Sequence, residues 1–121
     1  MTDKEYNVLT HIRQYCAEID ATVERYGNGL NDFVADLDYK KSVTLTILQI
    51  GELSTLLSDE FRREYPDIPW REIRGIRNII AHHYGTLDDS VVFETATVDV
   101  PYLKQYVDRL LKEHVLSAHP K

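Results

Sequence analysis

The sequence predicts an all-α fold, an up-and-down helical bundle of four main helices joined by short connecting ones. Three observations carry this. Apolar residues recur at three- and four-residue intervals over long stretches. Breakers and capping residues, such as Gly27-Asn28-Gly29 and Tyr65-Pro66-Asp67-Ile68-Pro69, mark the joints between those stretches. The one segment rich in β-branched residues, Val91 to Val98, has no second strand to pair with, so it too is read as helix.

The first helix runs from about residue 3 to 26, where Val8, Ile12, Cys16, Ile19, Val23 and Tyr26 make a single apolar stripe. Gly27-Asn28-Gly29 ends it, because these residues accept positive φ at little cost. Asn31 or Asp32 can cap a short helix carrying Phe33, Val34 and Leu37. From about Tyr39 to Leu57 the apolar residues Val43, Leu45, Ile47, Leu48, Ile50, Leu53, Leu56 and Leu57 cover more than one face, which predicts a helix buried among neighbours or at a subunit contact. Thr44, Gln49, Gly51 and Glu52 interrupt that surface. Glu52 reads either as a paired or solvated rim residue or as a supporting partner for an arginine or histidine in a cleft.

Ser58 followed by Asp59 and Glu60 caps another short helix, Asp59 to Glu64. Pro69 suits the first turn of the next, roughly Pro69 to His82, closed by Gly85 and Thr86. Asp88 or Asp89 caps a helix beginning near Ser90. Pro101 starts or kinks the final one, in which Leu103, Val107, Leu110, Leu111 and Val115 repeat helically to about residue 116. At 121 residues this makes one domain over 1–116, with a frayed tail at 117–121.

Composition narrows the function. A net charge of −6 argues against coating nucleic acid by bulk electrostatics, so a nucleic-acid site has to be a local patch. Arg62, Arg63, Arg71, Arg74 and Arg77 form the only dense arginine group. The single cysteine, Cys16, allows no internal disulfide, and no Cys/His cluster has zinc spacing. The first residues lack an apolar signal region, and no apolar run approaches the roughly 20 residues that cross a bilayer. The expectation is a cytoplasmic protein with no membrane contact and no cofactor.

The densest chemistry lies from Trp70 to Gly85. Ile73, Ile76 and Ile80 fall on one arc of a helix, and Arg77, Arg74, Asn78, Arg71 and His82 spread over roughly 140° of the other side. An arginine near an imidazole can hold a phosphate and move a proton. An arginine and a histidine with four residues between them is a weak pattern by itself. Eight arginines and five histidines predict about 0.3 such spacings by chance, and Arg109 with His114 repeats it on what reads as a solvated terminal face. Arg77 to His82 differs in its setting, since it continues into Asn78, is followed by Tyr84 and ends at a glycine turn. His83 lies on a different face and reads as exposed or packed. The His82-His83 pair is not expected to bind metal, because adjacent helical residues diverge and no third ligand is suitably spaced.

Arg77-Asn78-Ile79-Ile80-Ala81-His82-His83-Tyr84 resembles the Arg-x4-His-x-Tyr signature of HEPN-domain proteins, specifically the HepT-like toxins of toxin–antitoxin pairs. The likeness extends to Ile50-Gly51-Glu52, to Tyr65-Pro66-Asp67-Ile68-Pro69-Trp70 and to Val98-Asp99-Val100-Pro101-Tyr102-Leu103, and spans about Phe33 to Leu111. The resemblance implies a HEPN-like bundle, a homodimer whose two motifs line one cleft, and a metal-independent endoribonuclease acting on RNA. It assigns Arg77 to the phosphate and His82 to proton transfer as the ribose 2′-hydroxyl attacks. Beside these, Asn78, Arg74, Arg71 and Glu52 are candidate supporting or RNA-contacting residues, with Arg71 and Arg74 reading as RNA-steering, dimer-rim or simply solvated. It further implies that a cognate small nucleotidyltransferase antitoxin silences the toxin by adenylylating Tyr84, whose added bulk and charge would block the cleft. The competing expectation is a non-catalytic HEPN subunit that binds a nucleotidyltransferase. Arg77 and His82 point roughly 140° apart on an ideal helix, so clamping one phosphate requires pairing across a two-fold axis or a loosened helix near Ala81.

Overall fold

A computed structural model describes residues 1–118, which contain helices and turns and no strand. Four long helices form the body: α1 (Asp3–Tyr26), α3 (Leu37–Ser54), α5 (Trp70–His83) and α7 (Val100–Ala118). Short helices α2 (Leu30–Ala35), α4 (Asp59–Glu64) and α6 (Asp89–Glu94) connect them. This is the all-α bundle of four main helices with short connecting ones that the sequence predicts. Of the tail expected at 117–121, Ser117 and Ala118 continue α7, and 119–121 lie outside the described residues.

The helices pack in the order α7, α1, α3, α5, with α5 resting chiefly on α3 at the edge of the bundle. The core is one cluster in which Leu9, Ile12, Cys16 and Ile19 of α1 meet Val43, Ile47 and Ile50 of α3 and Val100, Leu103, Val107 and Leu110 of α7. Leu9, fully buried, belongs to the α1 stripe, whereas Tyr26 at its end is partly exposed and stacks on Tyr39. Burial pushes the Cys16 thiol up to about 12, so it behaves as a small apolar side chain.

Local chemistry explains the joints. Thr2 and Glu5 form a reciprocal cap on α1. Gly27 follows α1 with φ +115°, and the hydroxyl of the buried Tyr39 donates to its carbonyl at 2.9 Å. The second helix starts earlier than expected: Gly29, two or three residues before Asn31 or Asp32, holds the cap position, Asp32, inside the helix, accepts from the Gly29 N–H at 3.3 Å, and Leu37 opens α3 instead. Ser58 and Asp88 cap α4 and α6 as their spacing predicts. Pro101 falls in the first turn of α7, starting the final helix as its spacing allows, and between α6 and α7 the helix stays continuous. It widens into a π turn over Thr95–Asp99, in which the Val100 N–H reaches the Thr95 carbonyl. Widening there accommodates a proline that has no N–H to donate and crowds the preceding turn.

One expectation about α3 is reversed. Leu45 and Leu56, expected in the core, are each 50% exposed, whereas the supposed interruptions Thr44 and Gly51 are buried. At Gly51 the reason is the close approach of α5. A methyl group added at Gly51 would lie 2.5 Å from Arg77 Cβ.

Candidate active site on the edge helix

Helix α5 forms because Ile73, Ile76 and Ile80 face the core while most of its polar residues, together with Ile79, face outward. Ile80 is buried, Ile73 and Ile76 are half-buried against the core, and Arg71, Arg74, Asn78 and His82 are exposed. The helix stays regular through His82. The backbone departs only at His83 (φ −135°, ψ 33°), after which Tyr84–Thr86 make a tight 3-10 turn. The loosening considered near Ala81 therefore does not occur, and Arg77 and His82 keep their divergence of roughly 140° within one chain.

Arg77 is the ordered member of the pair. Its stem lies over Gly51, its Nε donates to Glu52 Oε1 at 2.7 Å, and its Nη1 donates to Asn78 Oδ1 at 2.9 Å. Glu52 is thus a partly exposed residue paired with an arginine, which both of its readings allow. The pair is partly open, with side-chain exposures of 30% for Arg77 and 45% for Glu52, so it contributes little stability, on the order of 1 kcal/mol or less. What it supplies is orientation. With Nε and Nη1 engaged, the guanidinium has donor capacity left on Nη2 and on the second Nη1 hydrogen.

His82 stands at the other extreme, exposed at the end of the helix. His83 is exposed as well. Among the described residues no group of three His, Cys, Asp or Glu side chains is placed to hold a metal ion. Tyr84 is 45% exposed and lines a shallow pocket of about 380 Å³ with Lys40, Lys41 and Thr44 of α3. The two lysines were not singled out from the sequence, where nothing about a Lys-Lys pair in the first turns of α3 points to a tyrosine beyond residue 80.

The arginine group divides. Arg77 turns toward α3, and Arg71 and Arg74 join Arg62 and Arg63 around a depression at the opposite end of α5. Arg109 and His114, the other copy of the spacing, are engaged elsewhere: Arg109 sits over the Tyr106 ring and half-buried His114 packs against Tyr6. That histidine is a packing residue of the α1–α7 contact, not a solvated one.

Chemically, α5 offers a braced guanidinium, an amide and a free imidazole within two turns, together with an accessible phenol. No helix among the described residues is long and apolar enough to cross a membrane.

Comparison with known proteins bears on this arrangement. The family model described as "HepT-like: Ribonuclease HepT-like" matches residues 12–110. A protein of Thermococcus cleftensis named "Probable ribonuclease HepT" is 35% identical over 81 residues, covering 67% of this chain and 74% of its own. Two relatives whose names carry the term RNase are each 30% identical. One, from Caldanaerobacter subterraneus subsp. tengcongensis, aligns over 105 residues, 87% of this chain and 92% of its own. The other, from Methanocaldococcus jannaschii, aligns over 90 residues, 67% and 83%. No solved structure matches the chain significantly.

Proposed function

The chain belongs to the Ribonuclease HepT-like family, and from that premise we propose that it is the toxin of a toxin–antitoxin pair, a metal-independent endoribonuclease that works as a homodimer. The observation that carries this reading is the contrast on α5 between a braced Arg77 and an unbraced, solvent-facing His82. A phosphate needs a fixed donor, and proton transfer needs an imidazole that can meet substrate.

In the proposed reaction the ribose 2′-hydroxyl loses its proton to the imidazole of His82 as its oxygen attacks the adjacent phosphorus. Arg77 holds the non-bridging oxygens as charge develops on them. The bond from phosphorus to the 5′-oxygen breaks, and that oxygen takes a proton from a histidinium, leaving a 2′,3′-cyclic phosphate. The requirement for a 2′-hydroxyl selects RNA over DNA. Because Arg77 and His82 diverge within one chain, the reading places each phosphate between the Arg77 of one protomer and the His82 of the other. The position of α5 at the bundle edge, with one face uncovered, suits such a contact.

The exposed phenol of Tyr84 supports its role as the point of control, where a cognate small nucleotidyltransferase adds AMP from ATP. The tyrosyl oxygen bonds to the α-phosphorus, pyrophosphate leaves and the phenolic proton is released. An adenylate two residues from His82 would exclude RNA by bulk and charge.

The test is cleavage of single-stranded RNA by the purified protein in the presence of a chelator. Wild type should yield cyclic-phosphate ends, and Arg77→Ala and His82→Ala should not. Cleavage undiminished by both substitutions would end the assignment. In parallel, the nucleotidyltransferase and ATP should add adenylate mass to wild type and none to Tyr84→Phe.

A further inference from the structure

At the start of α5, far from His82, lies the strongest positive feature of an acidic chain. A depression of about 600 Å³ is lined by Arg62 and Arg63 of α4, Arg71 and Arg74 of α5, the Trp70 side chain and the two prolines of the connecting loop. Half of the chain's eight arginines meet here, against only two carboxylates, Asp59 and Glu72. The protein as a whole carries −6.

The depression is built, not incidental. Trp70 Nε1 donates to the Tyr65 carbonyl at 3.0 Å, the Trp70 N–H reaches the Ile68 carbonyl at 2.8 Å, and Ile68 is buried. Phe61 packs against both Tyr65 and Trp70. Arg62 is used in the same framework, donating to Asp59 at 2.6 Å and to the Ser54 carbonyl at 3.2 Å, which ties α4 to the end of α3. Among the described residues no carboxylate forms an ion pair with Arg63, Arg71 or Arg74, and all three are exposed. A rigid floor carrying three uncommitted guanidinium groups suits planar, bidentate recognition of phosphate, and little ordering entropy is left to lose on binding.

The placement on α5 indicates which phosphates. At roughly 100° per residue, Arg74, Asn78, Arg71 and His82 fall within an arc of about 80°, so the depression and the imidazole share one exposed face. Arg71 and His82 are separated by about 16 Å along the axis at 1.5 Å per residue. We infer that this depression is a second RNA-binding site of the protein, holding backbone phosphates of the substrate strand a few nucleotides from the bond cut at His82. It rests on the reading of α5 as an RNA-cleaving helix and extends it to α4, which carries none of the motif. A strand held at both places is positioned along α5, so cleavage depends on strand length.

The experiment measures binding and cleavage separately on the full chain. Binding is read by fluorescence anisotropy with a single-stranded 2′-O-methyl oligonucleotide of about twelve nucleotides, which has no 2′-hydroxyl to attack, across a salt series. Cleavage is read on the all-ribose strand. Arg63→Ala/Arg74→Ala, with its fold checked by circular dichroism and melting, should weaken binding about 25-fold near 0.1 M salt and flatten the log–log salt slope by about 1.4, the value for two lost phosphate contacts on a single strand. Lys4→Ala, which removes an exposed positive charge from α1, should bind as wild type does. Unchanged affinity and slope in the folded double variant overturn the inference, as does a wild-type protein that does not bind the oligonucleotide. Loss of binding to the nucleotidyltransferase with RNA affinity intact would make the depression a protein-docking surface, and that overturns it too. Should His82→Ala cleave normally, the catalytic reading fails while the binding data still decide the depression.

Discussion

The two sides of α5 carry similar polar chemistry and are held in opposite ways. On the side facing α3, Arg77 is seated against a glycine and braced by a carboxylate and an amide. On the outward side, Arg71, Arg74 and His82 stand exposed, with no ion pair to a carboxylate among the described residues. Orientation is therefore bound to the packing of α3 on α5, whereas the outward groups carry charge and an open imidazole with no such ion pair to fix them. Substitutions on the two sides should separate folding from activity.

The largest separation is expected at His82. His82→Ala should lower the cleavage rate by about 10²- to 10⁴-fold, the usual contribution of a positioned acid–base group, and move stability by less than about 0.5 kcal/mol. A parallel measurement of product formation and thermal melting checks both, and a large fall in melting temperature would show the outward side to be structural after all. On the inward side, Gly51→Ala should do both kinds of damage. The added methyl forces α3 and α5 apart at Arg77, for a loss on the order of 1–3 kcal/mol in denaturant unfolding, with cleavage falling because the guanidinium is displaced. If Gly51→Ala leaves both unchanged, the close approach does not set the position of Arg77.

A smaller effect tests the brace alone. Glu52→Gln keeps the shape of the pair and removes its charge, so stability should change by less than about 1 kcal/mol while cleavage drops roughly tenfold. Equal losses in binding and in rate would instead mark Glu52 as a general electrostatic contributor.

The smallest effect lies off the helix, at Asp99 in the π turn. Partial desolvation there, together with Glu94 and Glu72, raises its carboxyl above the usual aspartate range. The folded state thus favours the protonated form. Its contribution to stability is full below the unfolded-state value and is lost as pH rises through the folded one, leaving an ionised Asp99 unfavourable at pH 7. Asp99→Asn should raise the melting temperature slightly at pH 7, and the gain should vanish as pH falls through the Asp99 titration toward about 4. A gain that grows on acidification would contradict this.

Much of the fold was legible in the residues themselves. The bounds of α1 and α4, the Ser58 and Asp88 caps and the helical reading of Val91 to Val98 depend on contacts within a turn or two, which local periodicity and capping chemistry report directly. The divergence of Arg77 and His82 was legible for the same reason. The misreadings fall where that locality ends. Leu45 is apolar and helical, but its exclusion from the core follows from which arc of α3 meets α1 and α5, and Leu56 lies in the turn after α3 where the expected helix has already ended. Pro101 starts α7 as its spacing allows, but the π turn just before it has no signature in the sequence.

By itself, then, the sequence determined the helices, their caps and the order of groups along α5, because each of these is set by neighbours at fixed spacing along one chain. Only the tertiary structure decided that Glu52 is the partner of Arg77, that Gly51 is an obligatory gap, that Lys40 and Lys41 lie beside Tyr84, and that the arginines of α4 and α5 share one depression. Those pairings join residues brought together by how helices cross, and a crossing is fixed by the packing of whole surfaces, which no local spacing encodes.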